Sequence, residues 1–121
     1  ENLPRVISEK YTAHIDESML KIPDLFKLIQ EKSMLNKKEM LKTFNCGIGM
    51  VLIINKNDID AFIKIFSKTK YKPKIIGYIG NRNNNKSIVS IDSRIINKKM
   101  PNLSFYIRVV LCATKTSECE N

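Results

Sequence analysis

Apolar residues recur at helical spacing in two parts of the chain. The first stripe precedes a polar stretch and consists of Ile22, Leu25, Leu28 and Ile29. Pro23 suits the first turn of that helix, and Asn36 is placed to open a second, short one. The later stripe comprises Ile59, Phe62, Ile63 and Phe66. Asn57 is predicted to cap this helix, with the stripe facing a sheet as part of the core.

Four shorter segments have the pattern of β-strands. The run GMVLIIN (49–55) is continuously apolar and rich in β-branched residues, which predicts a buried, central strand. TAHID (12–16) reads as a short strand, KIIGYIG (74–80) as a third, and SIVSI (87–91) as the strand that returns after a polar turn. The order β-α-α-β-α-β-β predicts an α+β fold, with a largely antiparallel sheet and helices packed on one face.

The chain of 121 residues has room for one domain, and no apolar run approaches the roughly 20 residues that span a bilayer. We therefore expect no membrane partner and a cytoplasmic location. The net charge is +9, but 17 lysines stand against 4 arginines, and the lysines are dispersed along the chain. Aromatic residues do not interleave with them as a base-stacking surface requires, which disfavours nucleic-acid binding.

Cysteine and histidine offer little candidate chemistry. The three cysteines are Cys46, Cys112 and Cys119, and His14 is the single histidine. The absence of a CxxC spacing predicts no zinc site, and an odd number of cysteines favours a reducing compartment. His14 is interpreted as a strand residue facing solvent, and Cys46 as a packing residue without a base to activate it.

The segment KTFNCGIGM (42–50) joins a polar helix to the apolar run at 49–55. One interpretation is a helix end, in which Gly47 takes a positive φ and Thr43 and Asn45 act as caps. The other is a backbone loop that lies close to an anionic ligand, with Asn45 pointing towards it. The spacing alone leaves both open.

Three segments together carry a resemblance to a known family: ENLPR (1–5), HIDES (14–18) and EMLKTFNCGIGMVLI (39–53). Their order and spacing resemble the C-terminal domain of aminoimidazole ribonucleotide synthetases, also called phosphoribosylformylglycinamidine cyclo-ligases. The strands at 74–80 and 87–92 fit the last two strands of that domain. The resemblance covers residues 1–92, which predicts a domain over this range and an unmatched tail over 93–121.

The resemblance implies an ATP-dependent ligase of purine biosynthesis that converts formylglycinamidine ribonucleotide to aminoimidazole ribonucleotide. In that family ATP and Mg²⁺ are bound mainly by an N-terminal half, which also forms the core of a homodimer. The chain begins at Glu1, after the position of the family's glycine-rich turn. We therefore expect it to need an N-terminal half as its partner, and to be inactive alone.

The resemblance also implies a cleft-lining set that binds substrate: Asn2, Arg5, Thr43, Asn45, Gly47 and Gly49. No catalytic residue and no metal ligand are expected among them. Arg5 offers a planar fork suited to phosphate, although a surface ion pair with Glu1 or Glu9 is the simpler alternative.

Two other classes of function stay open: a non-enzymatic relic of a split or truncated gene, and a small basic RNA-binding module. The tail contains a possible strand, SFYIRVVLCA (104–113), and polar residues after it. We expect that strand to join an edge of the sheet or to pack outside it.

Overall fold

The computed structural model describes residues 2–69, 71, 73–83, 87–92 and, for the backbone, 105–110. The helices are α1 (Leu3–Val6), α2 (Asp24–Ser33), α3 (Lys37–Thr43) and α4 (Ile59–Ser67). The strands are β1 (Tyr11–Asp16), β2 (Met50–Asn55), β3 (Lys74–Asn81), β4 (Val89–Asp92) and β5 (Phe105–Val110). Within these ranges, no helix has the length and apolar character needed to cross a membrane.

The strands form one mixed sheet in the order β2-β5-β3-β1-β4. β1 is antiparallel to β3, and β5 is antiparallel to both β2 and β3. β4 runs parallel to β1, on the side away from β3. The prediction of an α+β fold is confirmed, and most pairings are antiparallel. The placement of all helices on one face stays a prediction.

The core lies where β1 and β3 pair. It consists of the buried residues Ile7, Ala13, Ile15, Ile76 and Ile79. Ala13 lies opposite Ile79 and Ile15 opposite Gly77 in the antiparallel ladder. The register between β3 and β5 shifts between Ile75 and Gly77, and this irregularity interrupts the strict alternation of faces around Ile76.

Local sequence explains the ends of the helices. Asn36 and Glu39 form a reciprocal capping box at the start of α3, with both hydrogen bonds at 3.0 Å. The predicted cap of α4 is wrong, because Asp58 and not Asn57 precedes its first residue. The side chain of Asn55 instead accepts a hydrogen bond from the amide of Asn57 and begins a 3₁₀ turn over Lys56–Asp58.

The prediction that 49–55 is a central strand is wrong. β2 lies at one end of the strand order, and Met50 and Ile53 are 54% and 39% exposed. α4 likewise contributes no fully buried residue, so its apolar stripe is not part of the core. An apolar run indicates that a strand prefers to be buried, whereas the elements that pack beside the strand determine how much of it is buried.

The strand at the C-terminal end is also placed differently from the prediction. β5 pairs with β2 on one side and β3 on the other, so it does not join an edge of the sheet. The possible strand was predicted over 104–113, of which 104 and 111–113 lie outside the described residues. β4 follows β3 in the chain but pairs with β1, so the two do not form a hairpin.

We expect Ile76→Ala to lower the free energy of unfolding by about 3 kcal/mol, because a buried isoleucine leaves a cavity. Ile76 is 2% exposed. Ile53→Ala in β2 is the matched control and should cost about 1 kcal/mol, since Ile53 is partly solvated. Urea unfolding of both variants measures the difference. Equal losses would mean that the core does not lie at the β1–β3 pairing.

Candidate functional site

The turn between α3 and β2 is built by two residues with positive φ. α3 ends at Thr43, and Phe44 is already extended. Cys46 has φ 48° and Gly47 has φ 90°. The amide of Ile48 donates to the carbonyl oxygen of Asn45 at 2.9 Å, which closes the turn. The predicted positive φ of Gly47 is confirmed, but Gly47 lies beyond the end of the helix and is not its cap.

Cys46 and Phe44 hold the turn against α3 and α2, respectively. The Sγ of Cys46 lies 3.7 Å from the carbonyl oxygen of Met40 in α3, and both residues are buried. The ring of Phe44 packs against Phe26 of α2, with centroids 6.0 Å apart. These contacts hold the backbone of 43–49 against the two helices, and they leave the polar side chains of the turn outside.

Gly47 also touches the start of α2. A Cβ built on Gly47 would lie 2.6 Å from Cδ of Pro23. A side chain is therefore excluded at this position by a steric contact as well as by the positive φ. Gly49 has no positive φ and is exposed, so its backbone places no such requirement on the residue.

The polar candidates of the turn do not cap α3. Thr43 and Asn45 are exposed, and among the residues described here neither side chain makes a hydrogen bond. The amide of Phe44 instead donates to the carbonyl oxygen of Met40 at the end of α3. The helix therefore ends through backbone contacts, and the capping interpretation of these two side chains is wrong.

The last three residues of ENLPR and the following Val6 form the short helix α1. Pro4 lies in its first turn, and the amide of Arg5 donates to the carbonyl oxygen of Asn2 at 3.1 Å. Asn2 and Arg5 are both exposed. Within the described ranges no acidic side chain, Glu9 included, forms an ion pair with Arg5. Glu1, the other predicted partner, lies outside the described residues.

The two candidate segments are anchored on the same core. Leu3 of α1 and Ile48 of the turn both pack against the buried cluster, and Ile7 after α1 belongs to it. Their apolar residues thus share one support, while the polar candidates on both segments remain exposed. Leu3 and Ile48 thus hold the two segments on one core, and no hydrogen bond joins Arg5 to Asn45 among the described residues.

A small cavity lies behind the turn. Its volume is about 20 Å³, which is room for a single water molecule and not for a nucleotide. It is lined by Met19, Leu20, Lys21, Cys46, Ile48, Lys74 and Ile76. The exposed candidates Thr43 and Asn45 do not line this cavity.

A group of polar side chains on and next to β1 was not predicted from the sequence. His14 stacks on Tyr78, with ring centroids 4.8 Å apart, and is half-buried. Asp16 is buried, and its Oδ1 accepts from both the amide and the hydroxyl of Ser18, at 2.9 and 2.6 Å. Cross-strand pairing places Tyr78 beside His14, whereas Asp16 caps the turn that follows β1 in the same segment.

No metal centre is found in the part of the chain that the structure describes. Among these residues, no three histidine, cysteine, aspartate or glutamate side chains lie close enough to hold an ion. Cys112 and Cys119 lie outside the described residues.

The sequence of residues 1–90 matches the family described as AIR synthase related protein, C-terminal domain. The chain belongs to this family. It is 42% identical over 79 residues to a phosphoribosylformylglycinamidine cyclo-ligase of Caldicellulosiruptor bescii and 37% identical over 79 residues to one of Alkaliphilus oremlandii. Each match covers 65% of this chain but 23% of the relative. The segment matched by this chain thus spans less than a quarter of these relatives.

We expect Gly47→Ala to lower the free energy of unfolding by about 2 kcal/mol, because alanine is strained at positive φ and would meet Pro23. Gly49→Ala is the matched control and should change it by less than about 0.5 kcal/mol. Thermal or urea unfolding compares the two. If both variants were equally stable, the turn would not depend on Gly47 in the way its geometry requires.

The Cys46 thiol should be unreactive in the folded protein. Burial raises the pKa of this thiol, and Cys46 is 3% exposed. The folded state holds the thiol proton more tightly than the unfolded state does. The contribution of this group to the free energy of unfolding is therefore complete at pH values below the ordinary cysteine pKa of about 8.5, and it is lost as the pH rises further. Cys46→Ser should remove that part of the pH dependence of unfolding.

Alkylation of Cys46 is followed by mass spectrometry of its peptide, which separates it from Cys112 and Cys119. We expect slow labelling at pH 8 and fast labelling in urea. Fast labelling of the native protein would contradict a packed Cys46 and reopen a nucleophilic role.

Proposed function

We propose that this chain supplies the C-terminal part of an ATP-dependent cyclo-ligase of purine biosynthesis. The reaction is conversion of formylglycinamidine ribonucleotide to aminoimidazole ribonucleotide. The observation that carries the proposal is the family match over residues 1–90, together with 42% identity to a phosphoribosylformylglycinamidine cyclo-ligase. Both segments that we assign to substrate, ENLPR and TFNCGIGM, lie inside this matched range.

The proposed substrate contacts are Asn2, Arg5, Thr43, Asn45, Gly47 and Gly49. Arg5 is exposed and has no described acidic partner, so its guanidinium can form a bidentate contact with a phosphate. Asn45 and Thr43 are exposed and make no hydrogen bond among the described residues, so their side chains remain available to a ligand. The positive φ at Cys46 and Gly47 gives the backbone a tight turn that a ligand can approach closely.

The rest of the enzyme lies outside this domain in the proposal. The relatives are more than four times as long as the segment they share with this chain. We assign ATP and Mg²⁺ mainly to the N-terminal half, as the resemblance to the cyclo-ligases implies. The complete enzyme would act as a homodimer in the cytoplasm, and this chain alone would be inactive.

A chimera tests the proposal. Residues 1–92 of this chain replace the matching segment of the Caldicellulosiruptor bescii enzyme, and ADP release is measured with formylglycinamidine ribonucleotide. We expect turnover by the chimera and none by the 121-residue chain alone. A chimera that folds and binds ATP but has no turnover would contradict the proposed function.

Arg5→Ala in the chimera should raise KM for formylglycinamidine ribonucleotide about tenfold, because a charge-assisted contact worth about 1.5 kcal/mol is lost. kcat should change little if Arg5 binds the substrate equally in the ground and transition states. Lys32→Ala, at an exposed position in α2, is the matched control and should leave KM unchanged. An unchanged KM for Arg5→Ala would mean that Arg5 is a surface residue that does not contact the substrate.

A further inference from the structure

The segment HIDES (14–18) carries part of the family resemblance, but none of the proposed substrate contacts lies in it. Its last three residues begin the stretch 16–23, which connects β1 to α2. We call this stretch the support segment. It contacts both the turn at 43–49 and the first residue of α3.

The C-terminal half of the support segment packs against the turn. A Cβ built on Gly47 would lie 2.6 Å from Cδ of Pro23 and 3.7 Å from the carbonyl oxygen of Lys21. Leu20 lines the small cavity together with Cys46, and it also packs on the buried cluster. The support segment is thus a direct neighbour of the turn, so a displacement of this segment would displace the turn as well.

Asp16 anchors the N-terminal end of the support segment. It is 1% exposed, and its Oδ1 accepts hydrogen bonds from the amide and the hydroxyl of Ser18. The amide of Leu20 donates to the carbonyl oxygen of Glu17 at 3.0 Å, which closes one 3₁₀ turn directly after β1. These hydrogen bonds offset part of the free-energy cost of burying the carboxylate. Asp16 therefore fixes the direction in which the chain leaves β1.

Glu17 links the support segment to α3. Its carboxylate forms an ion pair with Nζ of Lys37, the first residue of α3. α3 ends at Thr43, where the turn begins. The support segment therefore contacts the start of α3 through Glu17 and the turn beyond its end through Pro23.

We propose that Asp16 and Glu17 are positioning residues that hold the turn at 43–49 in the geometry that contacts the substrate. Asp16 acts through the backbone of 20–23, and Glu17 acts through α3. This inference rests on the proposed function, in which Thr43 and Asn45 of the turn bind formylglycinamidine ribonucleotide. A displaced turn would bind the substrate less tightly.

The chimera that carries residues 1–92 tests the role of Asp16 through KM and kcat. We expect Asp16→Ala to raise KM about tenfold, since the two donors of Ser18 lose their buried acceptor and the support segment moves. Asp16→Asn keeps Oδ1 as an acceptor and should keep KM within about twofold of the unaltered chimera. A change that only destabilised the fold would reduce the fraction of active enzyme, which lowers the apparent kcat without raising KM.

Lys37→Glu tests the ion pair. It places two negative charges together at positions 17 and 37, which should raise KM about threefold to fivefold, whereas Lys37→Arg keeps the ion pair and should leave KM unchanged. Lys27→Glu is the matched control, because it disrupts the exposed ion pair with Asp24 in α2 and makes the same change in net charge. An equal rise in KM for Lys27→Glu would trace the effect to surface charge and overturn the role of Glu17.

Alkylation of Cys46 in the 121-residue chain tests the same geometry without substrate. We expect Asp16→Ala and Lys37→Glu to speed the labelling of Cys46 at pH 8 about fivefold, with little dependence on urea, because the turn moves locally. Ile79→Ala is the control, since Ile79 belongs to the buried cluster but does not line the cavity beside Cys46. Labelling in that variant should follow global unfolding and rise steeply with urea.

The two measurements distinguish a failure of the positioning role from a failure of the proposed function. An unaltered chimera without turnover would contradict the proposed function, and the labelling of Cys46 would then decide the positioning role alone. An active chimera in which Asp16→Ala and Lys37→Glu leave KM unchanged would overturn the positioning role. So would unchanged labelling of Cys46, or an Asp16→Asn variant as impaired as Asp16→Ala. If Asp16→Ala does not fold, Lys37→Glu decides both measurements.

Discussion

The antiparallel pairing of β1 with β3 is the interaction on which the rest of the structure depends. Four of the five residues in the buried cluster lie on these two strands, and Ala13 is completely inaccessible. The backbones approach closely where Gly77 faces Ile15, since any Cβ at Gly77 would collide with the carbonyl oxygen of His14. The close approach allows small and branched side chains to fill the core without a large aromatic residue.

Other elements reach their positions through this ladder. Leu3 from α1, Ile48 from the turn and Val89 from β4 all pack against the cluster it creates. The amide of Ala13 donates to the carbonyl oxygen of Ile88 at 2.8 Å, and Thr12 donates to the carbonyl oxygen of Ser87 at 3.1 Å. β4 is therefore held to the outer side of β1 by backbone and side-chain hydrogen bonds, and this leaves β3 available to β5.

The candidate site combines two kinds of support. α1 and the turn at 43–49 place apolar side chains on the core, while Cys46 and Gly47 shape the backbone against α2 and α3. Buried residues thus set the path of the chain, and the exposed Arg5 and Asn45 are free of competing contacts among the described residues. The two relatives extend well beyond the segment that they share with this chain, which covers 23% of each.

The sequence by itself determined the local elements and the family. Asn36 and Glu39 specify the start of α3, Gly47 specifies the tight turn, and TFNCGIGM carries the resemblance that the family match confirms. Only the tertiary structure decided which strands are neighbours. The apolar run of β2 does not encode its position at one end of the sheet, and nothing in β4 states that it pairs with β1. Capping and positive φ depend on residues a few positions apart, whereas strand order depends on which distant segments compete for the same edge.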